Sequence, residues 1–179
     1  MLIKMQRKDF DVLKRSNLSQ GCFEPLIKIY KKRVADQASF CITHVKEQFY
    51  KELTDGQRAL FMFYAYYNHA SKSVQECYWW SAFFFAQPKS WSAIKSSSWY
   101  FDDHALFLLL EKLEQELICH HHPTTLESFS VKREDLDLNK ELQSSFESLY
   151  IELGKTFSKS LKKINMIIDQ KYEEFIEFI

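Results

Sequence analysis

Residues 61–85 read FMFYAYYNHASKSVQECYWWSAFFF and hold eleven aromatic side chains. Each aromatic side chain carries roughly 150 to 250 Å² of surface, so leaving most of them in water would expose an unusually large apolar patch. We therefore expect this aromatic stretch to form the centre of the fold or to bind a ligand there. Its apolar part is too short to span a bilayer, which needs roughly 20 apolar residues.

Glycine and proline are scarce, with three of each among 179 residues. Folds rich in β-strands need turn residues at short intervals, so this scarcity predicts long helices with few connections. A chain of this length fits one domain and can bury a sizeable core. We predict an all-α, single-domain helical bundle over residues 1–179, with five to seven helices.

Local signals mark the first helices of a predicted helical core at residues 25–122. Pro25 suits the first turn of a helix, because its missing N–H is not needed there, and helical spacing continues over residues 25–52. Thr54 and Gln57 form a capping-box pattern, which predicts a second helix that ends near His69.

Ser73 and Glu76 repeat the capping-box pattern and predict a third helix that stops before Pro88. Its aromatic residues cover most of the helical circumference, so we expect this helix to lie at the middle of the bundle with little solvent-facing surface. Residues 90–98 are interpreted as a short helix and loop. Asp102 and Asp103 then open a helix that ends at the histidine tract, and residues 123–139 are a polar connector.

The last segment, 138–179, is predicted to be one long C-terminal helix, because its apolar residues recur with a mean spacing of 3.7. A helix of this length would measure on the order of 60 Å, more than the width of a small domain. We therefore expect a kink at Gly154 or a projecting end. Phe175, Ile176 and Ile179 are expected to pack against a second chain, giving a homodimer through the C-terminal helix.

The formal net charge is zero, but it is unevenly distributed. Residues 1–33 hold nine Lys and Arg against three acids, a local charge of +6 that includes the basic N-terminal segment 1–24. Such a face either attracts an acidic partner or is simply solvated. It contains no groove-reading motif, so nucleic acid is not an expected partner. The N-terminus has no apolar stretch of signal-peptide length, and we expect a cytoplasmic protein that does not enter the membrane.

Six side chains around the aromatic stretch are candidates for a binding pocket. His69 follows several tyrosines at the predicted end of the second helix, where it could line such a pocket, although a single His in that position is more often a satisfied boundary residue. The predicted pocket consists of Tyr67, His69, Tyr78, Trp79, Trp91 and Trp99.

The most metal-like feature is the tract His120–His122 after Cys119. Adjacent residues on a helix point about 100° apart and cannot all reach one ion, whereas a loop could bring Cys119, His120 and His122 together. Histidines at a helix C-terminus are also expected from the helix dipole. We favour this structural interpretation and keep the metal site as the alternative.

No catalytic or cofactor motif is present. The sequence lacks GxGxxG, GxxxxGK[ST] and GxSxG, and its three glycines cannot build a phosphate-binding loop. Asp102, Asp103 and His104 suggest an acid and base group, but helix capping explains them equally well. We expect no cofactor and no catalytic residues.

Residues 53–114 contain the motifs LTDGQRAL and ALFLLLE on either side of the aromatic helix. In these features the chain resembles an uncharacterised family of bacterial helical domains that includes a dimeric DNA-mimic protein. The resemblance implies an all-α interaction domain without known catalysis. That DNA mimic is strongly acidic whereas this chain is neutral, so DNA mimicry is not expected.

Together these observations predict a bacterial, cytoplasmic, protein-binding or regulatory module. Two rival functions remain. The first is an enzyme or metalloprotein that uses the histidines around the aromatic pocket, and the second is a nucleic-acid-binding regulator that uses the basic N-terminal third.

Overall fold

The computed structural model describes residues 1–36 and 42–179, with side chains for all of these except residues 42 and 43. The described chain is 76% helical, with nine helices and two short strands, so the predicted all-α fold is confirmed. The helix count exceeds the expected number because residues 7–14 form a further helix, the segment 25–52 belongs to two helices, and residues 135–138 form a single helical turn. The elements are β1 (Ile3–Met5), α1 (Arg7–Lys14), α2 (Leu18–Ala35), α3 (Ile42–Glu52), α4 (Asp55–Ala70), α5 (Val74–Phe85), α6 (Pro88–Tyr100), α7 (His104–Cys119), α8 (Asp135–Leu138), α9 (Lys140–Gln170), a 3-10 turn (Tyr172–Glu174) and β2 (Ile176–Phe178).

Helices α4 and α5 begin where capping boxes were predicted. At α4, the Gln57 N–H donates to the Thr54 hydroxyl (3.1 Å) and the Thr54 N–H donates to the Gln57 side chain (3.3 Å). At α5, the Glu76 N–H donates to the Ser73 hydroxyl (3.1 Å). Pro88 occupies the first turn of α6, where its missing N–H has no cost.

The connection from α6 to α7 consists of the three residues 101–103. The Asp102 N–H donates to the Trp99 carbonyl (3.0 Å) and the Asp103 N–H donates to the Ser98 carbonyl (2.7 Å), which is the Schellman arrangement. Asp102 takes the left-handed position of this motif, with φ 51°. The Asp103 carboxylate then accepts the Leu106 N–H (3.3 Å) and caps α7, so the acidic pair serves helix capping.

The described chain divides into two compact units, Met1–Phe61 with Leu161–Ile179, and Met62–Ser160. Helices α4 and α9 contribute residues to both units. The organisation as a single domain stays a prediction.

In the first unit, the helix predicted for residues 25–52 is two helices. The Tyr30 ring on α2 lies 5.3 Å from the Phe49 ring on α3. These residues are nineteen positions apart, and one continuous helix would separate them by roughly 28 Å. The prediction of a single helix is therefore wrong, and residues 37–41 of that segment lie outside the described residues.

Helix α2 also begins earlier than predicted, at Leu18, with Asn17 as its N-cap. The Asn17 side chain accepts the Gln20 N–H at 3.4 Å. Pro25 lies inside the helix and not at its first turn. Asn is as good a capping residue as Ser or Asp, so Asn17 was the sequence signal for the true start.

The first unit also contains a two-stranded parallel sheet. β1 pairs with β2 in the register Ile3 to Ile176, and the Ile3 N–H donates to the Phe175 carbonyl at 3.2 Å. The predicted helix through residue 179 is therefore wrong after Gln170, where α9 ends. Phe175 and Ile176 are 0% and 2% exposed within their own chain, so they do not need a second chain to cover them.

The second unit is built on α5, α6 and α7, which pack against one another. Tyr66 of α4 is buried among them and shares a 2.7 Å hydrogen bond with the Ser81 hydroxyl. The ring of Tyr66 makes edge contacts with Phe84, Trp91 and Phe157. This core is contributed by α4, α5, α6 and α9 together.

Helix α9 continues without interruption across Gly154 and ends at Gln170, so it is shorter than the helix predicted for 138–179. The chain instead turns at Tyr172–Glu174 and continues into β2. Within the described ranges, no helix combines the length and apolar character that crossing a membrane requires.

We predict that Phe175→Ala lowers the free energy of unfolding by about 3 to 5 kcal/mol, because the ring is fully buried. Ile179→Ala is the matched control, since Ile179 is 68% exposed and its truncation should change stability by less than about 0.5 kcal/mol. Urea denaturation followed by circular dichroism measures both. Equal effects would contradict the described packing of the C-terminal segment.

Candidate functional site

Helix α5 buries one side and leaves the other half-buried. Tyr78 and Phe84 are 2% and 8% exposed, whereas Trp79, Trp80 and Phe83 are only partly covered. The expectation that α5 has little solvent-facing surface is therefore wrong for this side. The reason is geometric, because successive residues turn by about 100° and these aromatic residues cannot all face one core.

The half-buried rings of α5 pack with one ring from the connector after α7. Trp79 and Phe83 stack in parallel with centroids 5.1 Å apart. Phe129 meets both rings edge-on, at 5.8 Å from Trp79 and 5.6 Å from Phe83. We call the four side chains Trp79, Trp80, Phe83 and Phe129 the aromatic surface.

Polar contacts fix the rings of the aromatic surface. The indole N–H of Trp79 donates to the Val131 carbonyl (3.0 Å), and that of Trp80 donates to the Glu76 carboxylate (2.8 Å). Arg133 forms a bidentate ion pair with Glu76, and its guanidinium lies 4.4 Å from the Trp79 centroid. The hydrogen bond from Arg133 lowers the pKa of Glu76, so this carboxylate is ionised at neutral pH.

His69 covers the other end of this cluster. Its ring stacks on Trp80 with centroids 3.8 Å apart and planes tilted by 22°. Burial lowers the pKa of His69, and the nearby Lys72 charge lowers it further. The neutral imidazole therefore acts as a flat, stacked ring at pH 7.

The structure does not bring the six predicted pocket residues into one pocket. His69 and Trp79 lie on either side of Trp80, while Trp99 is 53% exposed beside His104. The other three are core or boundary residues: Tyr67 contacts Phe157, Trp91 contacts Tyr66, and Tyr78 contacts His122.

The histidine tract forms the C-terminal cap of α7. The His121 N–H donates to the Ile118 carbonyl (3.0 Å) and the His122 N–H donates to the Leu117 carbonyl (2.9 Å), a second Schellman motif. His121 takes the left-handed position, with φ 55°. Pro123 follows, as is common after such a cap.

The remaining members of the alternative metal set have separate surroundings. His122 Nδ1 donates to the Leu117 carbonyl (3.3 Å), so its Nε2 accepts the Tyr78 hydroxyl (2.9 Å). His120 faces Glu116 at 3.9 Å, and Cys119 is exposed. Among the residues that the structure describes, no three His, Cys, Asp or Glu side chains are grouped so that they could hold a metal ion.

Four members of the site were not among the predicted residues: Trp80, Phe83, Phe129 and Arg133. Trp80 and Phe83 were assigned to the core because they belong to the densest aromatic run. Phe129 and Arg133 lie in a stretch interpreted as a polar connector. The only signal there was the isolated pair Phe129 and Val131 among polar neighbours.

The aromatic surface offers binding groups. It presents flat rings and an ion-paired guanidinium. Among the described residues, no hydroxyl or thiol hydrogen-bonds to His69, so His69 has no nucleophile for which it could act as the base. Trp and Arg are the residue types most enriched at energetic centres of protein interfaces.

We predict that stability falls as the pH is lowered from about 7 to 5, because the pKa of His69 is lowered in the folded protein. Below about pH 6.5 the unfolded chain binds this proton and the folded chain does not, so protonation favours unfolding. His69→Phe keeps a stacked ring without the titration, and urea denaturation across this range should show a smaller slope. An unchanged slope would contradict the prediction. Glu76 does not contribute to this slope, because its pKa is lowered and it titrates at more acidic pH.

We also predict that His121→Gly stabilises the protein by about 1 kcal/mol, because glycine adopts the left-handed conformation without the steric cost of a Cβ atom. His121→Ala removes the imidazole but keeps the Cβ atom and should bring no such gain. Thermal and urea denaturation compare the two variants. An equal gain in both would assign the effect to the lost imidazole instead.

No family model, curated protein or solved structure matches this chain. The resemblance of residues 53–114 to the family that includes a DNA mimic therefore stays a prediction.

Proposed function

We propose that this chain is a bacterial, cytoplasmic binding or regulatory module that recognises a partner protein through the aromatic surface and has no catalytic activity. One observation carries the proposal: Trp79, Trp80 and Phe83 remain half-buried although the opposite side of the same helix is fully packed. Large rings in this position gain further burial only from another molecule.

The rigidity of the surface supports the same function. Trp79 and Trp80 are held by hydrogen bonds to Val131 and Glu76, and Arg133 is held over Trp79 by its ion pair. Side chains fixed before binding lose little conformational entropy in a complex. The ion pair leaves the surface without strong net charge, which suits a partner with an apolar side chain at the contact.

The rival functions rest on fewer observations. An enzyme would use His69, which stacks on Trp80 and has no nucleophile hydrogen-bonded to it in the described chain. A nucleic-acid regulator would use Lys28, Lys31 and Lys32, which are exposed at helical spacing on α2. Phosphate contacts of this kind give salt-sensitive binding without sequence preference.

We predict that Phe83→Ala abolishes capture of the partner protein from a bacterial lysate, because it removes the ring on which Trp79 and Phe129 pack. Trp99→Ala is the matched control, since Trp99 is an exposed aromatic residue on α6 and outside the aromatic surface. Circular dichroism establishes that both variants are folded.

The captured protein is then purified and its affinity is measured by isothermal titration calorimetry. Phe83→Ala should weaken binding at least about tenfold, and Trp99→Ala should leave it unchanged. Equal binding by wild type and Phe83→Ala would refute the aromatic surface as the binding site. Turnover of a small molecule that survives in Phe83→Ala but is lost in His69→Phe would favour the enzyme instead.

A further inference from the structure

Helix α9 has an exposed face whose centre is apolar. Ile151 is 60% exposed, and one turn away on either side lie the exposed residues Glu147 and Lys155. Residues four apart occupy the same face of a helix, so these three side chains form one row. The row follows the order acid, apolar, base along the helix.

Beside this row lies a shallow groove of about 370 Å³. Tyr150 lines it, and the Tyr150 hydroxyl donates to the Ser71 carbonyl at 3.0 Å, which fixes the ring. Gly154 and Ser158 also line the groove. A Cβ atom at Gly154 would meet nothing within 4 Å, so the packing of the described chain does not require glycine there.

Glycine inside a helix is less favourable than alanine, and here the backbone conformation does not require it, because φ is not positive. Its effect is to leave the helix backbone open on the face that Ile151 occupies. Small residues at such a position let another helix approach closely.

The charge order identifies which helix can approach. When two copies of α9 pair antiparallel about a twofold axis at Ile151, the residue four before Ile151 faces the residue four after it in the other copy. Glu147 then meets Lys155 of the second copy, and symmetry forms this pair twice. A parallel pairing would place like charges opposite each other, so the row is complementary to itself in one orientation only.

We infer that the chain forms a twofold-symmetric homodimer in which two α9 helices pair antiparallel, with Ile151 at the centre and the Glu147 and Lys155 pairs at the rim. The apolar centre excludes water and the charged rim sets the orientation. This interface differs from the distal C-terminal contact expected from the sequence, because Phe175 and Ile176 are covered within their own chain. It also uses none of the residues of the aromatic surface.

Sedimentation equilibrium over micromolar to millimolar concentrations tests the interface. Wild type should show a reversible monomer to dimer equilibrium, and Ile151→Asp should be monomeric throughout. Leu108→Asp is the matched control, because Leu108 is equally exposed at 60% but lies on α7. A monomeric wild type, or an Ile151→Asp variant that dimerises like wild type, overturns the inference.

Charge reversal then tests the orientation. Glu147→Lys and Lys155→Glu should each raise the dissociation constant about tenfold, because each creates two like-charge contacts across the axis. The double variant should recover the wild-type constant. These residues are eight apart in one helix and about 12 Å from each other, so rescue can occur only between copies. A double variant as weak as the single ones overturns the antiparallel pairing.

Discussion

A helix turns by about 100° per residue, and this constraint governs the centre of the molecule. Three consecutive large aromatic residues, Tyr78, Trp79 and Trp80, cannot all point into one core. Tyr78 is buried and hydrogen-bonded to His122, while the two tryptophans face outward. The connector after α7 then packs over them with Phe129, Val131 and Arg133. The density of rings on α5 therefore creates both the core and the aromatic surface.

Features with a local cause could be predicted from the sequence. The starts of α4 and α5 follow from hydrogen bonds between residues three apart, and the end of α5 before Pro88 follows from a steric rule. Features that join distant segments could not be predicted. β2 exists because its backbone pairs with β1, and nothing within residues 176–178 distinguishes a strand from the last turn of an amphipathic helix. The contact between α2 and α3 is of the same kind.

Only part of the candidate site could be predicted, because some of its members depend on contacts between distant segments. His69 and Trp79 were identified because they belong to the conspicuous aromatic stretch. Trp80 and Phe83 belong to the same stretch, yet composition alone could not show which rings stay half-buried. Arg133 depends on a partner, Glu76, that lies 57 positions away. The histidine tract shows the opposite case, because its residues resemble metal ligands while two of its N–H groups complete the end of α7.

The pairing of β1 with β2 has a consequence for how the chain is made. The ribosome synthesises Ile3 well before its partner Ile176, and at about 5 to 20 residues per second the interval is roughly 10 to 30 s. During this time the first strand has no hydrogen-bonding partner from its own sheet. The unit formed by Met62–Ser160 is continuous in sequence, whereas the other unit draws on residues 1–61 and 161–179. The unit that contains β1 therefore cannot be completed until residues 161–179 have been synthesised.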